Sequence, residues 1–324
     1  MTSRLVCVSH SPIIMIRAKA PAEEDDILAY YQACVEAIGE FDPELVIEFA
    51  TDHFAGFFYS LMPSYCIGAK ARAVNDVGGF AGDLDVPGEL AVDMVRHLRD
   101  CGFDPALSRQ MKVDHAFSQP LHRLLGRLDA KPVIPVFIDA MSEPFLRFGR
   151  SRAIGKAIGF FAASTGKRVL FLGSGGLSHH PTRYYPLMGQ ASSEVHGWQL
   201  DGERGGTMTE QYWFQRLREM HQEGACMLID GRRTRQDIRL NPQFDAWVIE
   251  RLSIGDYAAL DVLDPGEIVK QAGVGSMELH AWIAACAAHD AAGGSKPDRS
   301  LYAPALEYGI GYGMLTAGLA EKRQ

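Results

Sequence analysis

The sequence predicts an α/β fold, with a mainly parallel or mixed sheet flanked by helices and with a helical C-terminal half. Three observations lead to this prediction. In the first half, short apolar runs of the length of buried strands alternate with longer segments of helical periodicity. One such run, residues 169–172, ends in a glycine-rich turn. No repeat, low-complexity tract or linker divides the 324 residues, so we expect a single domain over residues 1–324.

The predicted elements follow one another in a regular order. Apolar runs predict strands at residues 5–8, 45–50, 111–113, 131–138 and 169–172. Periodicity predicts helices at residues 21–41, 85–98, 116–128 (interrupted by Pro120), 150–165, 211–222, 244–252 and 265–271. A last helix is expected from an N-cap at Ser276 to about residue 288. The tail, residues 302–319, is rich in Gly, Tyr and Ala and is predicted to close the site or an oligomer interface.

Composition and charge argue against several classes of function. A net charge of −8 and a pI near 5.8 do not fit a surface that binds nucleic acid or an anionic membrane. No apolar run approaches the roughly 20 residues that span a bilayer, and the N-terminus shows no signal-peptide pattern. We therefore expect a cytoplasmic protein. The six cysteines include no C-x-x-C pair, which favours reduced thiols over disulfides or a thiolate metal site.

Four of the eleven histidines follow apolar runs, and each comes directly after a Ser or an Asp. They are His10, His53, His115 and His179. In open α/β proteins, ligands bind just beyond the carboxyl ends of the strands. One histidine in such a position would mean little, but four predict imidazoles that converge on one cleft.

Imidazole combined with carboxylate suits Fe, Zn or Mn, and two histidines with one carboxylate leave positions open for substrate and O2. Spacing alone does not choose the carboxylate. Asp52 and Asp114 adjoin histidines, but successive side chains of a strand point to opposite faces. Glu278 lies in the first turn of a predicted helix, where a surface acid is also favoured by the helix dipole. The carboxylate therefore stays open at this point.

An aromatic-rich segment, residues 54–65, follows His53 and contains Phe54, Phe57, Phe58 and Tyr59. One interpretation is a surface loop that folds onto the core. The other is an apolar wall beside His53, which would suit a flat aromatic ligand.

Five segments together carry a family signature. They are Ser-His-Ser-Pro at 9–12, Asp-His-Phe followed by Gly-Phe-Phe-Tyr at 52–59, Val-Asp-His with Gln-Pro-Leu at 113–121, Arg-Val-Leu-Phe-Leu-Gly-Ser-Gly-Gly-Leu-Ser-His at 168–179, and the helix of Glu278 with Trp282. In this order they resemble the class III extradiol dioxygenases, which open catechol rings. The resemblance covers nearly the whole chain and is weakest between residues 181 and 239.

The resemblance implies a non-haem Fe(II) held by His10, His53 and Glu278. It also implies that His115 and His179 are acid–base residues rather than ligands. The expected reaction is extradiol cleavage of a substituted catechol by O2, which gives a ring-opened 2-hydroxy-6-oxo-dienoate. Since the family commonly forms homo-oligomers, we expect one here. Which imidazole acts as base and which as acid stays open.

Two alternatives remain at this point. The same His and Glu residues could serve a Zn-dependent hydrolase with a metal-bound water as nucleophile. A homologue that only binds metal or a partner is disfavoured, because both His115 and His179 are present. The physiological catechol is not determined by the sequence. A carboxylate on it would need a cationic or hydrogen-bonding partner, for which Arg183 and Arg235 are two candidates.

Overall fold

The computed structural model describes residues 3–319. Its strands are β1 (Ser3–Val8), β2 (Leu45–Ala50), β3 (Tyr65–Gly68), β4 (Ala71–Ala73), β5 (Gly82–Asp83), β6 (Ala106–Ser108), β7 (Met111–Val113), β8 (Val133–Ile138), β9 (Val169–Ser174), β10 (Arg299–Ala303) and β11 (Tyr312–Ala317). Its α-helices are α1 (Glu24–Phe41), α2 (Gly88–Asp100), α3 (His115–Leu125), α4 (Phe148–Ser164), α5 (Ser193–Asp201), α6 (Glu210–Ile229), α7 (Pro242–Ile254), α8 (Tyr257–Asp261), α9 (Pro265–Ala272) and α10 (Leu279–Ala291).

The main sheet has eight strands in the order β10-β11-β1-β9-β2-β8-β3-β6. Its centre is parallel, since β9 pairs in parallel with both β1 and β2, and β2 pairs in parallel with β8. Both flanks contain antiparallel pairs, so the sheet is mixed. The predicted α/β class with a mixed sheet and a helical second half is thus confirmed. Because β1, β9 and β2 are neighbours, the segments that leave their carboxyl ends share one edge of the sheet.

Helices cover both faces of the main sheet, because successive side chains of each buried strand enter opposite cores. In β1, for example, Leu5 packs in one apolar cluster and Val6 in the other. Helices α1 and α3 pack on one face, and α2, α4 and α10 pack on the other. Helices α4 and α10 lie especially close, since a Cβ at Gly155 would approach the Ala284 carbonyl oxygen to 2.3 Å. This packing fixes α10, and with it the turn that carries Glu278, against the sheet.

The structure differs from the sequence predictions in three places. Strand β7 does not join the main sheet but pairs in parallel with β4 in a separate three-stranded sheet. Pro120 lies inside α3 without ending it. The hydroxyl of Ser276 does not cap a helix but donates to the Gly273 carbonyl, in a 3-10 turn (Val274–Glu278) that precedes α10.

The tail forms two strands, and β11 completes the sheet beside β1. Whether it also closes an oligomer interface is still a prediction. Among residues 3–319, no helix has the length and apolar character needed to span a membrane.

Candidate active site at the carboxyl edge of the sheet

The four histidines chosen from the sequence lie together at the carboxyl edge of the main sheet. His10 follows β1, His53 follows β2, and His179 follows β9, while His115 begins α3 directly after β7. The ring centroids of His10 and His53 are 5.6 Å apart, and those of His53 and His115 are 4.4 Å apart and stacked. These rings are buried, with exposed fractions of 0 to 8%. The separate small sheet thus delivers His115 to the same pocket as the main sheet.

The Ser and Asp residues that precede the histidines organise the turns. Both carboxylate oxygens of Asp52 accept backbone N–H groups, from Ala55, Gly56 and Phe57. The backbone N–H and the hydroxyl of Ser178 both donate to the buried carboxylate of Asp245, at 2.8 and 2.5 Å. Asp52 was one of the carboxylates left open as a metal ligand, and its oxygens are committed to the backbone instead. These residues set the backbone path on which the imidazoles stand.

All four imidazoles use Nδ1 for a hydrogen bond within the protein. The four acceptors are the Ser174 hydroxyl for His10 at 2.8 Å, Asp114 for His53 at 3.0 Å, Asp76 for His115 at 2.5 Å and the Leu177 carbonyl for His179 at 2.8 Å. The Ser174 hydroxyl itself donates to the Ala116 carbonyl, so its oxygen accepts from His10. Each ring therefore keeps Nε2 for the pocket. The buried Nε2 atoms of His10 and His115 have no hydrogen-bond partner among residues 3–319.

Glu278 lies where these Nε2 atoms converge. Its Oε2 is 3.4 Å from Nε2 of His10, and its Oε1 is 3.3 Å from Nε2 of His53 and 3.7 Å from Nε2 of His179. The carboxylate is 1% exposed and also accepts the backbone N–H of Gly176 at 2.5 Å. A Cβ at Gly176 would approach the His179 ring to 2.4 Å, so glycine is needed there. The glycine-rich turn after β9 thus allows the His179 ring and the Glu278 carboxylate to pack against its backbone.

The charges in the site are set by burial and by neighbouring groups. Burial lowers the pKa of His10 to about 3, although Glu278 acts in the opposite direction. Burial also disfavours charge on His53, but Asp114 and Glu278 outweigh it and raise its pKa well above the usual value. Burial opposes ionisation of Glu278 as well, yet His10 and His53 lower its pKa to about 2. Glu278 is thus held as an anionic carboxylate among the imidazoles, and its charge favours a cation at this position.

These donor atoms fit a metal ion. The unpartnered, buried Nε2 of His10 is a lone pair directed at the anionic Glu278, which is the arrangement that a divalent cation requires. Ligand atoms of His10, His53 and His115 also lie within 4.8 Å of one another, as do those of Asp76, Asp114 and His115. In the second group Asp114 is already occupied, because it accepts from His53 and from the Ala116 N–H. In the first group, Nε2 of His10 and Nε2 of His115 have no hydrogen-bond partner among residues 3–319, so this group and the adjacent Glu278 offer freer donor atoms to a metal ion.

The cavity in front of the imidazoles is lined largely by residues that follow β1 and β9 and by the helical half. Besides the four histidines it is lined by Ser11, Pro12, Ile13, Pro181, Tyr185, His221, Tyr308, Gly309 and Ile310. The aromatic loop after His53 does not line it, since Phe57 stacks on Phe137 and Phe54 packs in the core. The cavity wall is instead partly aromatic through Tyr185 and Tyr308.

Neither arginine proposed for a substrate carboxylate lines this cavity. Arg183 pairs with Glu223 at the surface, and Arg235 is exposed.

Comparison with known proteins identifies the family. The family described as the catalytic LigB subunit of aromatic ring-opening dioxygenase matches residues 4–311. The chain belongs to the LigB family. The resemblance of the sequence motifs to the extradiol ring-opening dioxygenases is thereby confirmed.

Similar relatives support the same conclusion over nearly the full length. The chain is 39% identical over 322 residues to 2,3-dihydroxyphenylpropionate/2,3-dihydroxicinnamic acid 1,2-dioxygenase 1 of Pseudomonas putida, with 98% of this chain and 99% of the relative covered. The enzyme of that name from Azotobacter vinelandii is 39% identical over 320 residues, with 98% and 99% covered. As a LigB dioxygenase, the protein is an oxidoreductase that catalyses extradiol cleavage of a catechol ring.

Several residues in and around the cavity were not predicted from the sequence. Asp76 and Ser174 orient imidazoles, and Tyr185 and His221 line the cavity. Asp76 follows the three-residue strand β4, which has no apolar run long enough to draw attention to what comes after it. Tyr185 and His221 belong to the helical half, where position in the chain does not indicate which residues face the sheet.

Proposed function

We propose that this LigB dioxygenase uses Fe(II) held by His10, His53 and Glu278, with His115 and His179 as acid–base residues. The observation that carries the proposal is the position of the Glu278 carboxylate, whose oxygens lie 3.3 to 3.4 Å from Nε2 of both His53 and His10. Two neutral imidazoles and one carboxylate would leave a divalent ion with a net charge of +1. That charge favours binding of the catechol as an anion.

Fe(II) held by His10, His53 and Glu278 would supply open coordination positions for the catechol and O2 and a path for electrons between them. The protein supplies proton transfer and orientation. His115 and His179 present Nε2 to the cavity, and each is held through Nδ1. One of them takes a phenolic proton, and the other donates a proton as the ring opens to the 2-hydroxy-6-oxo-dienoate.

We infer that the substrate is a catechol with a three-carbon carboxylate side chain. The relatives named for 2,3-dihydroxyphenylpropionate and 2,3-dihydroxycinnamic acid match 98% of this chain, and this supports the inference. The alternative of a zinc hydrolase loses its support, because the family and these relatives are ring-opening dioxygenases.

The test is anaerobic loading of the protein with Fe(II), followed by a panel of 3-substituted catechols. We expect O2 uptake and a yellow ring-opened product, with the highest kcat/KM for the carboxylate-bearing catechols. Zinc-loaded protein is the control and is expected to take up no O2. Equal turnover with zinc, or no O2 uptake with iron, would contradict the assignment of Fe(II).

We also expect a homo-oligomer in the cytoplasm. Light scattering after size-exclusion chromatography measures the oligomeric state, and cell fractionation tests the compartment.

A further inference from the structure

Asp76 meets His115 because of the topology of the small sheet. Strands β4 and β7 are parallel neighbours, with Ala73 opposite Val113. The backbone continues this pairing one residue further, where the Val74 N–H donates to the Val113 carbonyl at 2.9 Å. Residues that follow the two strands therefore lie side by side, as they do at the edge of the main sheet.

The contact between the two side chains is short and buried. Oδ2 of Asp76 lies 2.5 Å from Nδ1 of His115, and the side chains are 2% and 1% exposed. The other carboxylate oxygen of Asp76 has no partner among residues 3–319. This oxygen, Oδ1, lies next to Gly79, and a Cβ added at Gly79 would approach it to 2.1 Å. Glycine at position 79 thus leaves room for the Asp76 carboxylate, which accepts its hydrogen bond from His115.

This contact determines which ring nitrogen of His115 faces the cavity. A carboxylate accepts hydrogen bonds, so Nδ1 carries the hydrogen. Nε2 is directed to the cavity and has no hydrogen-bond partner in the described part of the chain. Asp114 cannot replace Asp76 in this function. Its nearest oxygen is 4.0 Å from Nδ1 of His115, and its carboxylate already accepts from His53 and Ala116.

We propose that Asp76 is a positioning residue that fixes the tautomer and the orientation of His115. The inference rests on the proposed function of His115 as an acid–base residue. An imidazole that is free to flip or to change tautomer would present N–H or the wrong nitrogen to the substrate in part of the population. In triad enzymes, replacement of the orienting Asp by Asn lowers kcat by about 10⁴-fold for this reason. Asp76 does not line the cavity, and its side chain reaches the cavity through His115.

The test compares Asp76→Asn and Asp76→Glu with the parent enzyme. An Asn side chain can either accept from Nδ1 or donate to it, so it no longer selects one tautomer. We expect kcat of Asp76→Asn to fall at least 100-fold while KM changes by less than about threefold and iron content is unchanged. Asp76→Glu should recover part of kcat. In a His115→Gln background, Asp76→Asn should cause little further loss, because the two residues act as a unit.

Asp139→Asn is the matched control. Asp139 is a largely buried carboxylate that follows β8 and accepts from the Ser142 N–H, away from the cavity. We expect Asp139→Asn to lower the melting temperature at least as much as Asp76→Asn does, while its kcat stays near that of the parent.

A readout independent of turnover is the ¹⁵N spectrum of histidine-labelled, zinc-loaded protein, in which His115 is assigned by comparison with His115→Gln. The parent should show the Nδ1–H tautomer, and Asp76→Asn a shift toward a mixture. Parent-like kcat and spectra in Asp76→Asn would overturn the proposal. Loss of metal in Asp76→Asn would overturn it in favour of a ligand set that includes His115. If the parent cleaves no catechol, the proposed function fails, while the spectra still decide the tautomer.

Discussion

Buried histidines occur in two regions of this protein, and only one region has the surroundings of an active site. In the pocket, His53 and His115 each bond a carboxylate through Nδ1, and Glu278 lies beside Nε2 of His53. On α10, His280 bonds the Ser151 hydroxyl at 2.8 Å, and His289 lies between the Ser3 hydroxyl and the Ser295 carbonyl. Neither α10 ring forms an ion pair with an acid among residues 3–319.

The comparison separates burial from function. Burial lowers the pKa of His280 to about 3 and that of His289 to about 4, so both rings are neutral and serve as polar members of the core. In the pocket, burial of the imidazoles is opposed by carboxylates in direct contact with the rings, and this combination favours a bound cation or proton. The carboxylates, rather than the depth of the imidazoles, mark the site.

The largest effect is expected from Glu278→Gln. The amide keeps the shape of the side chain but removes the negative charge, so we expect the iron content after desalting to fall at least tenfold and O2 uptake to fall below detection. Elemental analysis of the purified variant measures the iron. Glu48→Gln is the control, since Glu48 is a fully buried acid in β2 that does not line the cavity and has no hydrogen-bond partner within residues 3–319. Full iron content in Glu278→Gln would exclude Glu278 as a ligand.

The next effect is expected from the acid–base pair. His179→Ala should keep its iron and lower turnover by roughly 10²–10⁴-fold, which is the usual contribution of a positioned acid or base. His115→Ala should behave in the same way. Because a ring nitrogen of His115 lies near those of His10 and His53, the iron content of His115→Ala is the more informative of the two measurements. Loss of iron from His115→Ala would make His115 a ligand, and near-normal turnover in His179→Ala would remove its proposed role.

The positions of the pocket histidines were largely predictable from the sequence. The strands end where apolar runs end, and the carboxyl ends of parallel strands share one edge, so His10, His53 and His179 could be placed without the structure. Glu278 was different. It lies in a 3-10 turn before α10, and its position depends on how α10 packs against α4. Local pattern does not encode that packing, and the residue was selected through the family resemblance.

The errors have the same physical origin. Ser276 fits an N-cap by its residue type, but the backbone at this point makes a tight turn and the hydroxyl bonds Gly273 instead. Strands β10 and β11 were not predicted in the Tyr- and Gly-rich tail, because β11 pairs with β1, which lies at the opposite end of the sequence, and β10 pairs in turn with β11. Asp76 was missed because its partner is brought to it by the small sheet.

A smaller effect is expected from Asp114→Asn, which weakens one carboxylate contact without removing an imidazole. Asp114 orients His53 and also caps α3 through the Ala116 N–H. We expect iron affinity to fall about 10- to 100-fold, the usual cost of losing a partner that orients a ligand. Titration of the metal-free protein with Fe(II) under anaerobic conditions measures it. Asp52→Asn, which alters a carboxylate bonded to backbone N–H groups, should lower the melting temperature but not the iron affinity.

The smallest effect on turnover and the clearest effect on acid stability are expected from His289→Gln. The pKa of His289 in the folded protein is lowered by burial to about 4, below the roughly 6.5 of an unfolded chain. Between these values the unfolded chain binds a proton that the folded chain does not, so stability falls as pH drops from 6.5 toward 4, by at most about 1.4 kcal/mol per pH unit. His289→Gln removes this contribution. Urea unfolding at pH 7 and pH 5 should therefore give a smaller loss of stability in the variant, with unchanged iron content. An equal loss in both proteins would show that the buried α10 histidine does not contribute to acid sensitivity.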